Sequence, residues 1–326
     1  MSILLKKIIQ ILKYHLIYGI LYVSFFVEVL VMPIKSFIKS NTESLAGKTI
    51  AVTGTTGGLG KELVRFLASL GANLILMDRN KGRSESFARQ LRESFPDISV
   101  ELITVDLQVI ESVKCATEAL KLCEPDIFIH NAGAYSIPRC TTDAGFDNVF
   151  QINFVSPYYM VRELLPILRK KNGHAVAVGS IAHNYSKIDE NDVDFKTRKR
   201  ASLVYGNAKR YLTYALHELF KDEKEASLAI AHPGISFTNI TAHYPKLIFA
   251  IIKYPMKLIF MKPKKACLSI LKGVFEKCEN REWIGPRFFN VWGLPKKRKL
   301  KTADAEEIAL IAENAEKIYK SLASTK

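Results

Sequence analysis

The stretch KTIAVTGTTGGLGKELVRFLASLGANLILMD, residues 48–78, decides the fold. It opens on KTIAVT, a short apolar run rich in β-branched residues that reads as a buried strand. A helical pattern follows over 59–71, with Leu63, Phe66, Leu67 and Leu70 on one face. NLILMD at 73–78 is a second strand. Between the first strand and the helix lies Thr53-Gly54-Thr55-Thr56-Gly57-Gly58-Leu59-Gly60. Glycines there allow a tight turn and close approach of backbone to a pyrophosphate. The helix start behind them supplies free N–H groups and a positive partial charge. A glycine run alone is more often a simple turn. The strand–turn–helix setting makes this one a phosphate loop.

The same alternation continues outward from this unit. Strands are expected at 98–106, 126–130, 174–180 and 227–233, with helices at about 82–95, 110–122, 145–171 and 203–224. Continuously apolar strands separated by helices imply a parallel sheet covered on both faces, with right-handed crossovers. The expected fold is an α/β, doubly wound parallel sheet of Rossmann type. It forms a single domain, 41–300, behind an N-terminal hydrophobic anchor and basic linker, 1–40, and before an amphipathic helix, 301–326. No internal repeat is visible.

The chain has 326 residues and a net charge of +15. The basic residues lie beside apolar ones: Lys35, Lys39 and Lys48; then Lys253 to Lys265; then Lys296, Lys297, Arg298, Lys299 and Lys301. This placement fits an anionic membrane surface, and no nucleic-acid motif accompanies the charge. Residues 15–34, HLIYGILYVSFFVEVLVMPI, are long enough to cross a bilayer core or to lie in its interface. Glu28 is costly in hydrocarbon, and Pro33 marks an end or kink. Endoplasmic reticulum or lipid droplet is the expected location. The catalytic domain is placed in the cytosol, because the sequons at Asn184 and Asn239 fall where a glycan would obstruct the site. The five scattered cysteines, with no CxxC pair, imply neither a zinc site nor a disulfide framework.

Further motifs follow in order along the chain. They are Asn131-Ala132-Gly133 after the fourth strand, Asn153 in a helix, Ser180 after the fifth strand, Tyr205-Gly206-Asn207-Ala208-Lys209, and Pro233-Gly234 to Thr238 after the sixth. Together with the TGxxxGxG spacing of the phosphate loop, this series resembles the short-chain dehydrogenase/reductase family over about residues 46 to 295. The 25 residues from Ser180 to Tyr205, and SIAH at 180–183, are similar to its retinol dehydrogenase-like branch. His130 stands where the family more often has Asn, and Gly179 where it often has a second Ser.

The resemblance implies an NAD- or NADP-dependent oxidoreductase. Hydride transfer at a carbinol carbon needs a group to move the hydroxyl proton. Tyr205 is the candidate, and its ordinary pKa of about 10 is too high for a base at neutral pH. Lys209 lies one helical turn on and would stabilise the phenolate. Ser180 would polarise the substrate oxygen, and Asn153 would hold a water linking Lys209 to solvent. Cofactor contacts are expected from Gly54, Thr55, Gly58, Leu59, Gly60, Asp106, Asn131, Ala132, Gly133, Pro233, Gly234 and Thr238, with Tyr205 and Lys209. Asp78 at the end of the second strand would accept from ribose hydroxyls and repel a 2′-phosphate, which favours NAD. Arg79 beside it would instead meet the phosphate of NADP. For Asp106 the bland alternative is a loop cap.

HYPKLIFAIIKYPMKLIFMKP at 243–263 is expected to form an apolar lid, which implies a lipophilic alcohol or carbonyl such as a retinoid or steroid. Ile308, Ile311, Ala315, Ile318 and Leu322 recur at helical spacing, as in a helix docked on its own domain or on a partner. A homodimer is compatible with the chain. The competing reading is a non-catalytic NAD(P)-binding scaffold at a membrane or lipid-droplet surface, against which the intact Ser180, Tyr205 and Lys209 argue.

Overall fold

The structure, a computed structural model, describes residues 34–234 and 261–324. One eight-stranded sheet runs in the order β3-β2-β1-β4-β5-β6-β7-β8. Its strands are β1 (Thr49–Thr53), β2 (Asn73–Asp78), β3 (Val100–Thr104), β4 (Ile127–His130), β5 (His174–Val178), β6 (Ser227–Ala231), β7 (Glu282–Phe288) and β8 (Trp292–Lys299). All neighbours are parallel except β7 and β8, which form an antiparallel hairpin. The first six match the expected strands. The last two were missed because each carries a proline, and Pro286 and Pro295 face one another across the pair. Proline removes a ladder donor and is confined to edges, so both runs read as loop.

Alternate residues of the strands supply two cores. Ala51, Phe128, Ala175 and Ala177 face one helical layer. Ile50, Val52, Ile129, Val176 and Val178 face the other. The helices are α1 (Ile34–Asn41), α2 (Gly58–Ser69), α3 (Lys81–Ser94), α4 (Ile110–Leu122), α5 (Asn148–Phe150), α6 (Ser156–Lys170), α7 (Ala201–Leu219), α8 (Pro263–Ala266), α9 (Leu268–Phe275) and α10 (Ala305–Ser324). A π turn, Gln151–Val155, joins α5 to α6, so the helix expected over 145–171 is one element with a widened turn.

Both ends of the described chain pack against the sheet. The stretch read as a basic linker contains α1, which buries Phe37 against the second core. The domain therefore already includes residues of the expected anchor region. At the other end, α10 buries Ile308, Ile311, Ala315 and Leu322 in the first core. It docks on its own domain. The apolar stretch 15–33 and most of the expected lid, 243–260, lie outside the described residues. Among the described residues, no helix is long and apolar enough to cross a membrane.

Strand order reverses between β1 and β4. In a doubly wound sheet that reversal opens a crevice at the carboxyl ends of the strands, where ligands bind.

Candidate active site

The phosphate loop fills the crevice beside β1. Gly54 has φ +72°, and a Cβ there would lie 2.9 Å from Ala132 Cα, so the β1 and β4 turns touch backbone to backbone. Gly60 is more constrained still: a Cβ would stand 2.1 Å from the Gly54 carbonyl oxygen. A Cβ at Gly57 or Gly58 would meet nothing closer than 3.6 Å among the described residues. No side chain caps the start of α2. Uncapped N–H groups behind an open glycine turn fit a dinucleotide pyrophosphate.

Thr53, which sequence reasoning passed over, ties the two turns together. Its Oγ1 accepts from Asn131 N at 3.1 Å and Ala132 N at 3.0 Å. Asn131 Nδ2 returns bonds of 3.0 Å to the Thr53 and Gly54 carbonyls. With both lone pairs of Thr53 engaged, its hydroxyl donates to His130 Nδ1 at 3.2 Å. His130 is fully buried, and burial followed by the Lys209 charge holds its pKa well below the usual imidazole range. It is a neutral strut at the position where the sequence departs from the family pattern.

Asp78 ends β2 as expected and is engaged by the loop itself. Its carboxylate accepts from Thr55 Oγ1, from Thr56 N and Oγ1 at 3.1 Å each, and from Ser84 Oγ at 2.9 Å. Four donors occupy the four lone-pair directions of a carboxylate. Asp78 therefore braces the phosphate loop against β2, whereas Arg79 next to it is exposed. Nothing in residue spacing indicates that Thr55, Thr56 and Ser84 converge on one carboxylate. Asp106 behaves as a loop cap, accepting from Gln108 N at 3.0 Å, with its side chain half-buried beside the crevice.

Across the crevice stand Ser180, Tyr205, Lys209 and Asn153. Ser180 lies two residues after β5 and caps the following short helical turn, its Oγ accepting from Ala182 N at 3.2 Å. The same hydroxyl hydrogen-bonds Tyr205. Burial pushes the Tyr205 phenol up to about 12, and the Ser180 bond acts in the opposite direction. Lys209, one turn along α7, is buried, and desolvation lowers its pKa to about 7. Its ammonium sits 5.8 Å from the Tyr205 ring centre and donates to the Val178 carbonyl at 2.8 Å. Tyr135, also passed over in the sequence, packs edge-on against Tyr205 at 5.3 Å.

Asn153 sits in the π turn. Its Nδ2 donates to the Ala134 and Val149 carbonyls at 2.8 Å each, and its Oδ1 accepts from Ala134 N at 3.3 Å. One donor and the acceptor thus hold Ala134, the second donor is spent on Val149 one helical turn back, and only one acceptor direction is left for a water. Gly133 lies between, where a Cβ would come within 2.9 Å of Asn153 Oδ1 and 3.7 Å of Lys209 Nζ. Leu59 packs partly into the second core below the loop. Pro233 and Gly234 follow β6 at the far rim. Thr238 lies outside the described residues.

Fold and crevice together define a dinucleotide-binding α/β protein with a Ser–Tyr–Lys cluster at its switch point. The short chain dehydrogenase profile matches residues 48–190. Retinol dehydrogenase 14 of Mus musculus is 27% identical over 267 residues, covering 73% of this chain and 80% of that protein. Retinol dehydrogenase 13 of Homo sapiens is 29% identical over 208 residues, covering 61% and 62%. Among solved structures, an uncharacterised protein from Mycobacterium paratuberculosis superposes with TM-score 0.69 at 23% identity, over 86% of this chain and 96% of that one. L-Sorbose reductase of Gluconobacter frateurii, complexed with NADPH and L-sorbose, gives 0.57 at 19% identity, over 72% and 91%. Over residues 48–190 the chain is thus similar to the short-chain dehydrogenase/reductase family, and the relatives it matches are retinol dehydrogenases. These similarities support an oxidoreductase acting on CH–OH groups with NAD or NADP.

Proposed function

We propose that this protein interconverts a lipophilic alcohol and its carbonyl compound at a membrane surface, with Tyr205 as the acid/base. The observation that carries the reading is the Tyr205–Lys209 pair with Ser180 on the phenol oxygen. Nicotinamide, when bound, supplies or accepts the hydride. The chain's own residues handle the proton. Ser180 Oγ holds the substrate oxygen beside Tyr205 Oη. Burial opposes charge on the phenol and on the amine separately, so the two stabilise charge on one another, and Lys209 favours the phenolate that must form during alcohol oxidation. Asn153 holds the Asn131–Ala134 turn against this pair, with its one open acceptor direction as the water site of the relay.

Support for a lipophilic substrate comes from the retinol dehydrogenase relatives and from the apolar sequence at 243–263. For the cofactor, the engaged Asp78 carboxylate and the exposed Arg79 support NADP(H) over the NAD that Asp78 alone would favour. Gly54, Thr55, Gly58, Leu59 and Gly60 would cradle the pyrophosphate, Asp106 would face the adenine, and Asn131 to Gly133, Pro233, Gly234 and Thr238 would line the nicotinamide end.

The test is Tyr205→Phe assayed against a panel of retinoid, steroid and long-chain alcohols. Turnover is expected to fall by about 10²–10⁴-fold, the range for loss of a general acid/base, with cofactor binding retained. Undiminished turnover in this variant would overturn the reading.

A further inference from the structure

The β7–β8 hairpin carries features that neither folding nor hydride transfer explains. Its three-residue tip contains a β-turn over Phe288–Val291, closed by Val291 N donating to the Phe288 carbonyl at 2.9 Å. The central residues Phe289 and Asn290 both have positive φ, 52° and 57°. That is the turn type that favours Asn and Gly, and a bulky aromatic there is strained. Phe289 is also 82% exposed and Phe288 44% exposed. The fold thus holds a strained phenylalanine out in solvent. Around it the charge is of one sign. Arg287 lies over the Phe288 ring at 5.8 Å, and Lys296, Lys297, Arg298 and Lys299 follow along β8. None of these five makes a salt bridge among the described residues.

We propose that this hairpin is an interfacial foot, which inserts Phe288 and Phe289 among the lipids of an anionic bilayer while the β8 cations lie against the headgroups. An aromatic tip followed by cations that meet no carboxylate among the described residues, Arg298 donating only to the Arg287 carbonyl, matches that surface in polarity and in charge. The placement orients the enzyme. Gly234 meets the hairpin directly, since a Cβ there would lie 2.7 Å from the Val291 carbonyl oxygen and 2.6 Å from Met261 Cε. His232 Nε2 bonds the Asn290 carbonyl at 3.0 Å. The rim of the crevice at Pro233 and Gly234 therefore moves with the foot, and docking turns that rim toward the lipid. The inference deepens the membrane part of the proposed function and is independent of the hydride chemistry.

The chain's two tryptophans make the test specific. Trp283 is buried, and Trp292 pairs across the hairpin with Phe288. Full-length protein carrying Trp283→Phe is bound to phosphatidylcholine–phosphatidylserine vesicles whose acyl chains are brominated near the headgroup. Co-sedimentation reports whether the chain binds membrane at all. Quenching of Trp292 reports whether the hairpin enters it. Quenching is expected, weakened in pure phosphatidylcholine and lost in Phe288→Ser/Phe289→Ser. Phe289→Gly relieves the strained φ, so it is expected to melt no lower than the parent without vesicles and still to lose quenching, which separates the foot from a folding defect. Bound protein with unquenched Trp292, or quenching that survives the double substitution, would overturn the proposal while leaving membrane association intact. Failure to co-sediment would overturn both. A concentration-dependent dimer that shields the tip would assign the face to a second copy and likewise overturn it.

Discussion

Lys209 shows at the scale of one residue how function opposes stability. Buried, its pKa is about 7; in the unfolded chain it returns to about 10.5. Between those values the unfolded chain binds more protons than the folded one, so this residue's contribution to stability rises with pH across that window. Below pH 7 the amine is protonated in both states, and the burial cost is full and constant. Lys209→Met removes the titration and leaves the Val178 carbonyl without its donor, at a cost of about 1–3 kcal/mol. Measured by denaturant unfolding at pH 7 and pH 9, the parent is expected to gain on the variant by up to about 1.4 kcal/mol per pH unit. A difference that does not change with pH would mean that Lys209 stays protonated in the folded chain up to pH 9 and that burial has not lowered its pKa. Gly60 is the steric counterpart. Gly60→Ala places a methyl 2.1 Å from the Gly54 carbonyl oxygen and 2.9 Å from Thr55 Cα, both backbone atoms. The loop must open, and the melting shift on adding NADP(H) is expected to disappear.

Among the elements, α10 is held by more than its apolar face. Arg210 and Glu307 pair at 2% and 9% exposure. Arg210 also donates to the His183 carbonyl at 2.8 Å, and Glu307 accepts from Ile188 N at 3.2 Å. The pair thus joins α10 to the chain that follows Ser180. Glu307→Ala strands a buried guanidinium, at a cost of about 3–5 kcal/mol, whereas Arg210→Leu/Glu307→Leu is expected to recover most of that loss. Hydrogen exchange should show α10 and residues 181–188 loosening together in the single variant. Elements such as α10, α2 and the first six strands were legible in the sequence because each repeats a period of its own, 3.6 or a continuous apolar run. What stayed hidden depends on contacts between elements. The π turn at Asn153 has no periodic signature. The donors that converge on Asp78 come from the phosphate loop and from α3. The β7–β8 pair is masked by Pro286 and Pro295, which its edge position tolerates. The catalytic candidates were legible because motif order along the chain substitutes for geometry in a βα repeat, where every strand ends at the same edge of the sheet.

For the whole molecule, the question is which dinucleotide the assembled crevice selects. Binding to the folded state alone stabilises by mass action, about 2.7 kcal/mol at a hundredfold excess over Kd. In a chain longer than 250 residues, each kcal/mol moves the melting temperature by about 2 °C, so a saturating cofactor is worth roughly 5 °C. If Asp78 stays committed to Thr55, Thr56 and Ser84, its charge is spent inside the loop and Arg79 is the group that an adenosine 2′-phosphate meets. NADP(H) is then expected to give the larger shift, and Arg79→Ala to reduce that shift while leaving any NAD(H) response in place. If Asp78 releases its loop donors to the ribose, NAD(H) gives the larger shift and Arg79→Ala changes little. Asp78→Asn separates the two further. With the loop brace weakened, the first arrangement predicts a lower melting temperature before any cofactor is added, because four donors lose their anionic acceptor. In the second, Asp78→Asn lowers that melting temperature likewise and also diminishes the NAD(H) shift, because the ribose loses its carboxylate.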